Sequence, residues 1–216
     1  MITGDPTLRT SSGSLPGICH RCNGNGDGFA PCDSKDTSEF PAKICPRGIR
    51  ASVIFPSCWD GKNLDSPDHR SHVAYSPRSK TLAGADCPAS HPVRVPQVMY
   101  EMQWDTVPFN EPGYFEGGKQ PFVYSFGDKS GHGQHGDYLF GWKGDALQRG
   151  MDALQGKNCL NDRCDALKFQ SVQDATACTK KTQVEGEVVG REGQCEFFLL
   201  SGCLKLGAVF HANWYL

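Results

Sequence analysis

The sequence predicts a mainly β protein: a β-sandwich-like single domain with one or two peripheral helices and disulfide-stapled loops. Three observations carry that expectation. Short β-branched and aromatic runs recur between Gly, Pro, Asn and Asp punctuation, as strands do between turns. One of these runs, Val98 to Asp105, alternates from Tyr100 onward, with Tyr100, Met102 and Trp104 on one face and Glu101, Gln103 and Asp105 on the other. The 11 cysteines stand mostly singly in polar, turn-rich surroundings, which favours disulfides and an oxidising compartment over metal knuckles. An α+β arrangement is the alternative.

In chain order, residues 11–47 are mostly Gly, Ser, Asn, Asp and Pro with four cysteines, and read as loops held by bridges. Ile49 to Phe55, between Gly48 and Pro56, is the first strand, and Val98 to Asp105 is the second. Phe122 to Phe126 and Tyr138 to Trp142 read as two further aromatic strands, with the loop from His132 to Asp137 between them. After Gly144, Asp145 caps a helix in which Ala146, Leu147, Met151 and Leu154 recur at helical spacing until Gly156. A shorter helix is expected from Val172 to Ala177. The apolar end, from Phe197 to Leu216, is interrupted by Lys205 and His211 and so does not read as a membrane span; a buried strand pair or a disordered tail is expected.

Several function classes fall away on composition. With 38% hydrophobic and 21% charged residues the chain can bury a core, and a formal charge of -2 without a Lys/Arg run gives no footprint for nucleic acid. Cys19-His20-Arg21-Cys22 resembles half of a zinc site, but Cys32 and Cys45 do not complete it, so no metal or other cofactor is expected. No G-x-S-x-G elbow is present, and no phosphate loop, because G-K-[ST] does not follow Gly131 to Gly136. The first residues lack the basic and apolar regions of a secretory signal.

The chemistry concentrates from Phe55 to Tyr75, where three aspartates, two histidines, an arginine and three aromatics occupy about twenty positions. Cys87-Pro88-Ala89-Ser90-His91-Pro92 and the stretch from His132 to Tyr138 repeat that company. Asp60, Asp68, His72, His135 and Asp137 are the candidate acid-base residues, since an imidazole beside a carboxylate can exchange protons near neutral pH. His135 and Asp137 share a face if their segment is extended, and His69 and His72 if theirs is a helical turn; either pair could also ligate a metal. Trp59, His69, Arg70, His91 and Glu101 are the candidate substrate contacts, with Trp59 offering a flat apolar face for a sugar ring. Glu101 and Asp105 share one strand face four residues apart, and are read as paired carboxylates for a glycosidic bond or simply as the solvated side of an antiparallel strand. The competing reading for the loop residues is structural, because Asp and Ser beside Gly and Pro routinely tie turns together.

Several long words in order resemble a known family: Gly4-Asp5-Pro6 with Leu8-Arg9, the block from Phe55 to Tyr75, Cys87-Pro88 with Ser90-His91-Pro92, and His135-Gly136-Asp137 followed by Gly141 to Leu147. They are similar to DUF1996, a domain of unknown function in secreted fungal proteins. The resemblance covers residues 4–184, so a family-like domain is expected over 1–184, with a divergent tail over 185–216. It implies an extracellular or wall-associated protein whose chain here starts near the Gly-Asp-Pro word, without the signal peptide and the histidine-bearing segment that precede this word in members of the family. Two function readings stay open: a protein that binds or cleaves a polysaccharide, and a non-catalytic wall or host-interaction protein.

Overall fold

A computed structural model describes residues 1–10, 17–24, 32–77, 86–153, 171–177 and 208–215. The protein is mainly β, with three antiparallel sheets. Its strands are β1 (Ile2–Gly4), β2 (Ile18–Cys22), β3 (Ile49–Ile54), β4 (Cys58–Trp59), β5 (Val73–Ala74), β6 (Val93–Arg94), β7 (Gln97–Trp104), β8 (His135–Asp137) and β9 (Ala208–Tyr215). The chain divides into two compact units, residues 1–141 with 208–216, and residues 142–207. Two helices, α1 (Ala146–Ala153) and α2 (Val172–Ala177), belong to the second unit. No described helix is long and apolar enough to cross a membrane.

The largest sheet has the order β2-β3-β7-β9. Its centre is β3, buried at every position because it is covered on both faces, so it reads as a continuous apolar run with one Arg and one Ser. Phe55, just past it, is fully buried and meets Tyr100 edge-on at 5.4 Å and Tyr138 at 6.3 Å. Ile18, Val53, Phe55 and Val98 form the core, with Met1, Tyr100 and Tyr138 packed against them. The two-stranded ribbon β1-β8 lies on this core at Gly136, where a β-carbon would come within 2.8 Å of Val53 Cγ1 and 3.0 Å of Phe55. Only glycine allows that approach. The third sheet, β5-β4-β6, is tied down by the Cys58–Cys87 disulfide.

Three sequence expectations are corrected here. Phe122 to Phe126 is not a strand but leads into a turn, closed by the Gly127 amide on the Tyr124 carbonyl, with Phe122 turned into an aromatic cluster with Phe40. Tyr138 to Trp142 is not a strand either; the strand is the segment before it, His135–Asp137, which pairs with β1, and Tyr138 adds a backbone exchange with Met1 beyond the strand's end. The loop reading of residues 11–47 misses β2, whose polar word ICHRC looks unlike a strand yet is almost wholly buried. His20 packs on Phe40 with Nε2 on the Tyr124 hydroxyl, and the buried Arg21 pairs with Asp33 and Asp36, so both side chains meet a polar partner. The Cys19 and Cys22 thiols are spent on Cys32 and Cys45, respectively, as disulfides. The segment from Leu154 to Gly156, residues 185–207 and the remaining five cysteines lie outside the described residues.

Candidate functional site

The block from Phe55 to Tyr75 folds as two short strands joined by turns, and its aspartates build those turns. Asp60 accepts the amides of Lys62 and Asn63 on Oδ1 and the Asn63 side chain on Oδ2. These donors, the Asn63 and Lys62 amides first, hold its carboxyl down at about 2. Asp68 takes the Ser71 and Arg70 amides and the Ser66 and Ser71 hydroxyls on one oxygen, and lies well below the usual carboxylate range for that reason. Asp65 grips His69 Nδ1 at 2.8 Å and is likewise held down. His69 itself sits in the left-handed region at φ 54°, a conformation that histidine tolerates better than most residues.

Hydrogen bonds gather these turns into one locus. The Asp60 amide donates to the His72 carbonyl, and His91 Nε2 reaches the Ser71 carbonyl at 3.0 Å. His91 Nδ1 meets the Ser90 hydroxyl, so both of its nitrogens are occupied. His72 is buried, with Nδ1 on the Ser66 hydroxyl at 2.8 Å. Tyr75 anchors the end of the block: its hydroxyl donates to the Ile54 carbonyl and accepts from Thr3, and burial pushes it up to about 12.

Trp59 is half-buried and fixed, since its indole N–H donates to the Asn63 carbonyl at 2.6 Å. Register places Val73 and Val93 opposite it on the flanking strands. Facing residues of paired strands point to the same side, so Val73, Trp59 and Val93 make one apolar row across the sheet, about 10 Å long at the usual strand spacing. The other side carries the fully buried Cys58. Val93 and, in the adjoining turn, Leu64 are exposed.

The other candidates lie elsewhere. The Ile2 amide donates to the His69 carbonyl while Ile2 pairs with Asp137, so β1 separates the block from His135 and Asp137. These two do share a face, on either side of the buried Gly136. Glu101 is on β7, opposite Ser52, with its carboxylate 3.5 Å from Arg50 Nε. Neither the paired-carboxylate reading nor the solvated-face reading of Glu101 survives: its side chain is 16% exposed and matched to a buried arginine, while Asp105, beyond the strand, accepts the Val107 amide.

Sequence reasoning passed over Asn63, Ser66 and the two valines. The first two had a signal, the Asx spacing around Asp60 and Asp68; the valines had none before the register was known. It also passed over a buried knot around Asp128, whose carboxylate accepts the Ser130 amide and hydroxyl and the Gly133 amide. Burial alone would raise that carboxyl, but these donors and Arg9 outweigh it and hold it down. Arg9 lies over the Phe126 ring, which stacks on Tyr124 and meets His135 edge-on. A cavity of about 260 Å³ lined by Lys35, Glu39, Phe40 and Lys43 contains none of the sequence candidates.

The fold and site thus define a disulfide-braced, mainly β protein with one aromatic-centred surface row beside polar turns. The chain belongs to DUF1996, described as "Domain of unknown function", whose family model matches residues 1–142. No curated protein and no solved structure matches it.

Proposed function

We propose that this is a secreted, extracellular or wall-associated fungal protein that binds a polysaccharide through the row Val73-Trp59-Val93. The observation that carries this reading is the fixed Trp59: an aromatic held by Asn63, itself held by Asp60, in an otherwise polar region. A preorganised aromatic face loses little entropy on stacking against a sugar ring. The three disulfides support an oxidising, extracellular location, and the resemblance to secreted fungal proteins supports the source.

Asp60 and Asp68 build the platform and do not act as acids. A glycosidase acid has to keep its proton near neutral pH, and both carboxyls are displaced in the opposite direction. The test is a pull-down of the protein with insoluble fungal and plant polysaccharides, comparing wild type with Trp59→Ala. Retention on one polysaccharide that is lost in the variant is expected. Equal retention of both proteins, or none on any polysaccharide, would remove the basis for this reading.

A further inference from the structure

The six histidines whose side chains are described differ in what their ring nitrogens have left to offer. His20 is buried with Nε2 on the Tyr124 hydroxyl, His91 has both nitrogens occupied, and His72 and His132 are buried. His69 is exposed, with Nδ1 on the Asp65 carboxylate and Nε2 without a partner among the described residues. His135 shares that open Nε2 but is fixed on a sheet face: it is half-buried, and its Nδ1 lies 3.0 Å from the Gly133 carbonyl.

A backbone carbonyl can only accept, so Nδ1 carries the hydrogen. In the neutral ring the lone pair then sits on Nε2. The ring is also held in place, since Phe126 packs against it at 5.6 Å and 71°. Across the ribbon its partner is Gly4, where a β-carbon would fall 2.7 Å from the His135 Cα and 3.1 Å from its Cβ. The residue directly opposite the imidazole on β1 therefore has no side chain. On the same face, two residues along, stands the exposed carboxylate of Asp137.

We infer that His135 is a proton-accepting group, with Nε2 presented to a hydroxyl-bearing ligand on the outer face of the β1-β8 ribbon. The proton of an approaching O–H moves to Nε2, and the bonding pair stays on the oxygen. The ring becomes imidazolium with Nδ1–H still on Gly133. Gly133 and Phe126 act as positioning residues. This inference does not depend on the Trp59 row, and the two can fail separately.

The experiment is nitrogen-15 NMR of the histidine rings in the intact protein, together with diethyl pyrocarbonate modification mapped by peptide mass spectrometry. Expected are a protonated Nδ1 and an unprotonated Nε2 for neutral His135, and carbethoxylation of His135 ahead of His20, His72 and His91. The modification signal at that peptide should vanish in His135→Gln. A neutral ring protonated at Nε2, or a His135 that the reagent modifies no faster than the buried His20, would overturn the inference. Both wild-type readings are independent of whether any variant folds.

Discussion

The indole N–H of Trp59 donates to the carbonyl of Asn63, four residues later, and Asn63 is held in turn by both carboxylate oxygens of Asp60. One aspartate thus sets the orientation of an aromatic ring it does not touch through any recorded hydrogen bond of its own. Asp60→Ala releases the Lys62 and Asn63 amides and with them the turn. Trp59 emission is expected to shift to the red and acrylamide quenching to rise, while the core stays folded by circular dichroism. Unchanged quenching would show that the ring is held by other contacts.

The sheet that carries Trp59 depends on a covalent tie. Cys58 is fully buried and bonded to Cys87, closing a loop with a sequence separation of 29. Replacing both by serine is expected to lower stability by about 2–4 kcal/mol in chemical denaturation. Polysaccharide retention should fall as well, because the row Val73-Trp59-Val93 loses its backing.

His20 makes stability depend on pH. Burial, the largest influence, pushes its pKa from 6.5 down to about 4. Between these values the unfolded chain takes up a proton that the folded chain refuses. The contribution is therefore complete above about pH 6.5, declines as pH falls, and is lost by about pH 4. The difference amounts to about 3 kcal/mol. Urea midpoints measured from pH 7.5 to pH 4 should drop across that window, and His20→Gln should flatten the profile.

Gly136 tests the seat of the ribbon on the core. An added methyl group meets Val53 and Phe55 at distances no relaxed contact shows, so Gly136→Ala is expected to cost about 1–3 kcal/mol. A melting temperature equal to wild type would mean that β8 can lift away from the sheet without loss.

Phe55→Ala tests the core itself. The ring is fully buried between Tyr100 and Tyr138, and its truncation is expected to cost about 3–5 kcal/mol. A smaller loss would indicate that the aromatic neighbours collapse into the space.

What the sequence determined by itself was local. The alternation from Tyr100 to Trp104 and the β-branched word from Ile49 to Ile54 specify strands because their period and composition suit no other element. The helix starting at Ala146 and the short helix at Val172 lie where the sequence places them. The aspartates of the central block were recognisable as candidates either for chemistry or for turn building, since both uses draw on the same residue types. The tertiary structure adds the turn amides that Asp60 and Asp68 accept, which the sequence leaves unassigned. It also decided that ICHRC is a strand, because its histidine and arginine find partners in Phe40, Tyr124, Asp33 and Asp36, far outside any local window. Glu101 was drawn to Arg50, and Val73 and Val93 were set on either side of Trp59, by strand register. Register depends on which strands meet, and no short stretch of sequence contains that information.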